Sequence, residues 1–315
     1  MPDTPLPSTE QPPATGHVRL DVDWPAVLPR LDALGPVRVV TGNTALIHEK
    51  VGAYGNVSGS GHALIVLNRD VDLRIFPRHW SHTVHDPAAD AILVRDGHGR
   101  PIHAIHRTAG SDPIAWESFL ADHRTGEAGV SVASAATATA APAVAEDADI
   151  DVAALRAAWA AMTDVHEFHG MLKRFGVERL RAMRLAGRDF AREIPLSALA
   201  GLLETARDHR QEIMVFVGNP GCIQIHTGRI DALSMADDRL TIDDPGFRLR
   251  CDMARLASAW VVFKPTGKGG ITTVELYDRA GETCAILCGQ RDEDKPERAE
   301  WRALARSLPD MPEGA

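Results

Sequence analysis

Apolar and polar residues alternate along the chain between residues 37 and 107. Six short runs show this period of two and are rich in β-branched residues: VRVVTG, ALIHEKV, HALIVLN, VDLRIF, AILVRD and IHAIHR. Successive side chains of a strand point to opposite faces, so this period predicts strands. Asn, Gly and Asp separate several of the runs, which favours tight turns and a mostly antiparallel meander.

The apolar spacing becomes helical after residue 150. Apolar residues then recur every three or four positions: Leu155, Trp159, Met162, Val165, Leu172 and Phe175. The same reasoning predicts helices over 24–34, 112–123, 176–185, 196–208 and 297–308. A second set of strands is predicted over 213–217, 222–227, 247–251, 259–263, 271–277 and 284–288.

The chain contains an internal repeat. Gly42-Asn43 opens GNTALIHEKVG, and Gly218-Asn219 opens GNPGCIQIHTG. RDGHGRPIHAIH at 95–106 is echoed by DRAGETCAILCG at 278–289, and Trp116 by Trp301. Two similar copies imply two similar layers, and the cleft between them is where a ligand is expected.

The repeat and the composition of the segments predict an α+β fold made of two copies. We expect a disordered N-terminus (1–17), a first repeat (18–124) with a short helical preface, an Ala/Ser/Thr-rich linker (125–150), and a second repeat (151–310) with a long helical preface. Each copy is predicted to be a large, mostly antiparallel sheet with helices.

Composition and charge narrow the function classes. The 44% hydrophobic content is that of a globular protein, and no apolar run reaches the ~20 residues of a membrane span. The N-terminus lacks the basic start and apolar stretch of a signal peptide, so we expect a cytoplasmic protein. A formal net charge of −9 argues against a nucleic-acid partner. The four cysteines form no CxxC pair and are expected to be thiols.

Several longer motifs carry a resemblance to a known family. MTDVHEFHGMLKRF, EIMVFVGNPGCIQIHTG, WVVFKPTGKGGITTVELYD, GQR and EWRAL follow one another in the second half, and TGNTALIHEKVGAYGN and VDLRIFPRHW stand in the first. On these motifs the chain, from about residue 20, resembles the cytoplasmic hemin-degrading and heme-trafficking proteins of the HemS/HmuS/ChuS type. The resemblance implies two repeated halves with one heme in the cleft between them.

The chain departs from the family pattern at three places. The first half has only a short helical preface. Cys288 stands where an aromatic residue usually precedes GxR, and His106 ends the first-half strand where an aromatic residue is common. These departures concern the detail of the heme pocket.

The resemblance assigns His166 the role of axial ligand to the heme iron, a role that neutral imidazole commonly fills. His169, three residues on, has the weaker claim and is expected to be a neighbour or a supporting group. From the residues alone, a structural role is the favoured reading of a single histidine on a predicted helix.

The resemblance places Arg74 opposite His166, with Phe76 beside it against the ring. Asp72, Arg74 and Phe76 share one face of a predicted strand. An arginine there could donate hydrogen bonds to a ligand on the iron and so take part in catalysis. An ion pair with Asp72 at a strand edge is the alternative, and strand spacing does not separate the two.

Lys264, Gln290 and Arg291 are the candidate partners of the heme propionates. Lys264 follows the apolar run WVVF at a strand end, and the guanidinium of Arg291 suits a carboxylate. For each residue, a solvated surface position is the alternative.

The resemblance leaves two function classes open, both with heme b as the bound group. A carrier would accept heme from an ABC importer on the cytoplasmic face and hand it on, for example to a downstream heme oxygenase. A heme-degrading oxygenase would need an external reductant, because the chain has no flavin or nicotinamide motif. A third reading is a non-heme small-molecule binder on the same scaffold.

Overall fold

The computed structural model describes residues 16–128, 150–291 and 295–312. The chain divides into two compact units. Unit 1 holds the described residues of Met1–Thr137 together with Phe216–His226 and Thr241–Cys251. Unit 2 holds those of Ala138–Val215, Thr227–Leu240 and Asp252–Ala315. Among the described residues, no helix has both the length and the apolar composition to cross a membrane.

The described secondary structure follows the chain as two series. The helices are α1 (Trp24–Val27), α2 (Pro113–His123), α3 (Val152–Ala160), α4 (Glu167–Phe175), α5 (Arg179–Ala186), α6 (Ala198–Asp208) and α7 (Ala299–Ser307), with 3-10 segments at Leu28–Leu34, Pro77–His79 and Met253–Arg255. The strands are β1 (Val18–Leu20), β2 (Val37–Gly42), β3 (Leu46–Gly52), β4 (Val57–Ser60), β5 (Ala63–Leu67), β6 (Asp72–Ile75), β7 (His82–Asp86), β8 (Ala91–Arg95), β9 (Pro101–His106), β10 (Arg124–Ala128), β11 (Ala191–Ile194), β12 (Ile213–Asn219), β13 (Cys222–Gly228), β14 (Leu233–Ala236), β15 (Arg239–Asp244), β16 (Phe247–Asp252), β17 (Leu256–Lys264), β18 (Ile271–Asp278) and β19 (Thr283–Gly289).

Strands of the two sequence copies are exchanged within unit 1. The first-copy strands have the order β10-β1-β7-β8-β9-β2-β3, and β16 of the second copy continues the sheet beside β3. This pair is antiparallel, with Leu249 opposite His48. In return, β6 of the first copy pairs antiparallel with β13 of the second, with Arg74 opposite Ile223, and β5 and β4 follow β6.

Two asparagines tie the exchanged segments together. The side-chain Oδ1 of Asn43 accepts from the backbone N–H groups of Ala45 and Leu46, so Asn43 builds its own turn. Its Nδ2 donates to the carbonyl of Gly218 at 2.9 Å, and Nδ2 of Asn219 donates to the carbonyl of Gly42 at 2.9 Å. The repeated Gly-Asn pairs are therefore reciprocal turns.

Helices cover the inner face of the first-copy sheet. Asp112 caps α2 by accepting from Ile114 N–H and Ala115 N–H, and Pro113 occupies the first helical turn. The α2 residue Trp116 and the α1 residue Trp24 are buried in one apolar cluster. Packing against the alternating apolar residues of the strands thus forms the core of unit 1.

Unit 2 repeats this design. Its strands have the order β11-β17-β18-β19, which matches β1-β7-β8-β9 of the first copy. Helices α3, α4 and α5 contribute Trp159, Phe168 and Met183 to a core cluster that includes Val262 and Tyr277 of the sheet.

The structure confirms the α+β class with two large antiparallel sheets and helices. The predicted helices over 112–123, 176–185, 196–208 and 297–308 are present within a few residues, and the one over 24–34 is α1 followed by a 3-10 segment. All strand runs predicted from 37 onward form strands. Within the described residues, the sequence patterns missed seven strands: β1, β4, β7, β10, β11, β14 and β15. The predicted domain boundaries stay predictions, since compact units and sequence copies differ where strands are exchanged.

Two further expectations differ from the structure or fall outside it. The continuous helix predicted through Val165 stops at Ala160, and α4 starts afresh at Glu167. Residues 124–128, of which 125–128 were predicted as linker, form β10. The rest of the linker at 129–149, and residues 1–15 of the predicted disordered N-terminus, lie outside the described residues.

Candidate functional site

His166 lies immediately before α4 and presents an exposed imidazole, with 87% of its side chain accessible. Its Nδ1 is 2.7 Å from Oδ1 of Asp164, and its backbone N–H donates to the same oxygen at 2.8 Å. An ionised carboxylate only accepts hydrogen bonds, so Nδ1 is the donor, and in the neutral ring Nε2 keeps its lone pair. A histidine held in this way by a carboxylate is the usual form of a metal-binding imidazole.

Asp164 is suited to hold this tautomer. The hydrogen bond from the His166 backbone, followed by that from the His166 ring, lowers the pKa of Asp164, and the charge of Arg291 adds to the effect. The carboxyl group therefore stays ionised at neutral pH. Arg291 is half-buried, and its charge acts on Asp164 in the loop that carries His166.

Phe168, two residues after His166, anchors the start of α4 in the core of unit 2. It is 2% exposed and meets the ring of Trp159 edge-on, with the centroids 4.7 Å apart. The backbone N–H of Gly267 donates to the carbonyl of Thr163 at 2.8 Å, which ties the preceding loop to the β17–β18 turn. The imidazole is thus exposed, while the backbone that carries it is fixed on both sides.

Lys264 lies at the end of β17, but its ammonium is buried. Nζ lies 2.5 Å from Oε1 of Glu275, whose side chain is fully buried. Glu275 also accepts two hydrogen bonds from Arg179, at 2.7 and 2.9 Å, and one each from the hydroxyls of Thr273 and Tyr277. These five residues are named here the Glu275 cluster.

Burial and charge oppose each other in the Glu275 cluster. Burial raises the pKa of Glu275, but the charges of Arg179 and Lys264 outweigh it and hold the pKa well below its usual value. Burial lowers the pKa of Lys264 to about 8, against the opposing effect of Glu275. The role of Lys264 toward a propionate stays a prediction.

Cys288 lies near the end of β19, and Gln290 directly follows the strand. The Gln290 side-chain carbonyl accepts from Nη2 of Arg298 at 3.3 Å. Cys288 is 2% exposed, and burial raises the pKa of its thiol to about 12. Cys288 is therefore a protonated core residue at neutral pH, and a propionate contact by Gln290 stays a prediction.

Arg74 and Phe76 belong to unit 1. Arg74 is half-buried on β6, where its Nη1 donates to Oδ1 of Asp72 and to the carbonyl of Leu73. Burial raises the pKa of Asp72, and the pairing with Arg74 counteracts this. The ion pair considered from the sequence is therefore present. Phe76 follows the strand and is half-buried, and heme contacts by either residue stay predictions.

The comparisons with known proteins agree with this architecture. The model of the haemin-degrading HemS/ChuX domain matches residues 9–123 and 176–308. The chain is 37% identical over 293 residues to the hemin transport protein HemS of Yersinia enterocolitica, covering 90% of this chain and 83% of that protein.

Two solved structures extend the similarity to the fold. Apo-PhuS, a heme-binding protein from Pseudomonas aeruginosa, superposes with a TM-score of 0.89 at 39% identity, covering 94% of this chain and 87% of that one. ChuS, an E. coli heme oxygenase, superposes with a TM-score of 0.82 at 34% identity, covering 93% and 88%. The sequence and the fold thus coincide with one class of proteins, and the chain belongs to the haemin-degrading HemS/ChuX family.

Sequence reasoning missed Asp164, Arg179 and Glu275. Glu275 was detectable in principle, because it is the only acid inside the apolar run of β18. A charged residue within such a run indicates a buried partner. The position of Arg179 depends on how α5 packs, and no local pattern in the sequence predicts it.

Proposed function

We propose that this chain is a heme-binding protein of the cytoplasm that holds heme through His166 and transfers or degrades it. The observation that carries the proposal is the free Nε2 of an exposed imidazole whose Nδ1 is bonded to Asp164. That donor suits heme iron, and the relatives named as heme-binding and hemin transport proteins share more than a third of the sequence.

The remaining candidates match the other groups of a heme. Arg291, whose charge acts on Asp164, and Gln290 directly after β19 supply a cation and an amide for the propionates, and Lys264 is the second candidate cation. Arg74 and Phe76 are the candidates for hydrogen bonding to an iron ligand and for ring contact. Heme b needs no covalent attachment, so these contacts and the imidazole bond would suffice to hold it.

Bound heme would supply the iron chemistry, and the protein would supply binding and orientation. Degradation also requires electrons. The chain has no flavin or nicotinamide motif, so an external reductase would be the partner of the enzyme. A carrier would instead need a heme importer as donor and a downstream heme oxygenase as acceptor.

A hemin titration of the purified chain tests the proposal. We expect a sharp Soret band that saturates at one heme per chain, and an affinity at least tenfold lower in the His166→Ala variant. His169→Ala is the matched control and should keep the wild-type affinity. No saturable band, or equal affinity in wild type and His166→Ala, would contradict the proposal.

The same complex separates carrier from enzyme. With a reductant in air and catalase present, an enzyme bleaches the Soret band, whereas a carrier keeps it. Transfer of the heme to apomyoglobin then measures how readily the intact complex releases it.

A further inference from the structure

The Glu275 cluster has no counterpart in the first copy of the repeat. The turns after β8 and β18 are equivalent, because Oδ1 of Asp96 accepts from the N–H of His98 as Oδ1 of Asp278 accepts from that of Ala280. This register places Leu93 at the position of Glu275 and Arg95 at the position of Tyr277. Each pair occupies equivalent strands, since β8 lies between β7 and β9 as β18 lies between β17 and β19. Leu93 and Arg95 are half-buried, and Arg95 donates to the carbonyl of Gly99 in the following turn. The first copy therefore has an apolar residue at the position of Glu275.

A buried ionic cluster is a poor way to stabilise a core. Desolvation of the charges offsets most of their attraction, and apolar residues of similar volume are often as stable or more so. The cluster nevertheless occurs in the copy that carries His166. The contacts of its two cations indicate its role in that copy.

The two cations of the cluster lie against Phe168. Nζ of Lys264 is 4.8 Å and Cζ of Arg179 is 5.0 Å from the centre of the Phe168 ring. Both distances are within the range of a cation–π contact, which is strengthened by burial. Glu275 holds both cations in place through three hydrogen bonds.

Phe168 in turn fixes the first turn of α4, which His166 immediately precedes. The other support of the ring is Trp159, whose Nε1 donates to the carbonyl of Phe263, next to Lys264. Glu275 is thus linked to the start of α4 by contacts: it bonds to the two cations, and the cations lie against the Phe168 ring. Lys264 and Arg179 come from β17 and α5, so the cluster also joins the sheet to the helices.

We infer that Glu275 is a positioning residue for the heme-ligating His166, acting through Lys264, Arg179 and Phe168. This inference rests on the proposed heme function. Loss of the carboxylate would leave two cations without their shared anion and release the Phe168 ring, so the imidazole would no longer be held where the iron binds.

A double-mutant cycle tests the inference. Glu275→Gln and Phe168→Leu are each made in the wild type and in His166→Ala, and hemin affinity is measured at a temperature where every variant is folded. We expect either change to weaken hemin binding at least tenfold in the wild type and less than twofold in His166→Ala. A residue that acts only through His166 loses its effect when His166 is absent.

Leu202→Ala is the control for lost stability. Leu202 is fully buried on α6, outside the core cluster that contains Phe168. It should lower the melting temperature and leave hemin affinity and the ferric spectrum unchanged. If Glu275→Gln does not fold, Phe168→Leu carries the test, because it keeps the ion pairs and an apolar residue.

Two outcomes would overturn the inference. One is unchanged hemin affinity when Glu275→Gln and Phe168→Leu are each made in the otherwise wild-type chain. The other is an equal loss in the wild type and in His166→Ala, which would mean that Glu275 acts through Lys264 on the propionate or on the fold as a whole. Failure of the heme function itself is seen separately, as a wild type that does not bind hemin.

Discussion

At the scale of single residues, the chemistry of His166 depends on one neighbour. Asp164 accepts from both the ring and the backbone of His166, so it fixes the tautomer and the orientation of the imidazole together. The exposure of the ring leaves Nε2 available to a large planar ligand. In metal sites, a hydrogen bond of this kind strengthens an imidazole as a ligand.

Arg74→Ala tests the predicted contact of this residue with a ligand on the iron. We expect hemin affinity to stay within a few-fold of the wild type, because the imidazole bond and ring burial remain. The pH at which the water ligand of ferric heme becomes hydroxide should rise, because a nearby cation favours the anion. A pH titration of the ferric spectrum measures this.

Asp72→Asn is the matched variant for Arg74. It removes the ion pair while it keeps the guanidinium, so it should not raise the pH of the transition. A transition that stays at the same pH in Arg74→Ala would mean that Arg74 serves the ion pair with Asp72 and not the heme.

At the scale of elements, a buried polar network joins β2, β9 and the segment after β3. His103 of β9 is 3% exposed, with Nδ1 2.8 Å from Oγ1 of Thr41 and Nε2 2.9 Å from the hydroxyl of Tyr54. Its ring also stacks on Trp80 at 5.6 Å. Burial lowers the pKa of His103 to about 3, and His106 adds to the shift.

This network predicts acid sensitivity. Since the pKa of His103 is lower in the folded chain than its unfolded value near 6.5, only the unfolded chain binds this proton between about pH 6.5 and pH 3. The contribution of His103 to stability is therefore complete above pH 6.5 and falls by up to about 1.4 kcal/mol per pH unit below it. His103→Gln should flatten this part of the pH dependence.

Urea unfolding between pH 7 and pH 5 measures the effect. The control is His62→Gln, a change at an exposed histidine, which should leave the pH dependence of the unfolding free energy as in the wild type. If the unfolding free energy falls equally with pH in His103→Gln and in the wild type, the proton taken up on unfolding binds to another residue.

The burial of each strand explains why some strand predictions succeeded and others failed. The alternation in VRVVTG and AILVRD is strong because one face of each strand packs in the core, and β2 and β8 form where expected. β14 has the burial pattern of an exposed strand, so its sequence carries no alternation to detect. The break between α3 and α4 falls at Thr163 and Asp164, and Asp164 favours a turn by bonding to the backbone of His166.

At the scale of the whole molecule, the sequence repeat predicted two similar sheets but not the exchange of strands. Pairing of β16 with β3 and of β6 with β13 joins residues about 150 to 200 positions apart, and such long-range pairing leaves no local sequence signal. The sequence shows that the Gly-Asn pair occurs in both copies but not why. The reciprocal hydrogen bonds of Asn43 and Asn219 give the structural reason.

The candidate site was predictable in the same limited way. Family motifs selected His166, and the structure adds the exposed ring and its carboxylate. The packing environment of Lys264 could not be predicted from the sequence, because a residue at a strand end can face solvent or a buried partner. In the structure, Lys264 is buried because it pairs with Glu275.

The central claim is that Nε2 of His166 binds the heme iron. Pulsed electron paramagnetic resonance of the ferric heme complex measures it directly, as the hyperfine coupling of an axial imidazole nitrogen. We expect this coupling in the wild type and in His169→Ala, and its loss in His166→Ala. An imidazole coupling that persists unchanged in His166→Ala would place the ligand on another histidine and contradict the account.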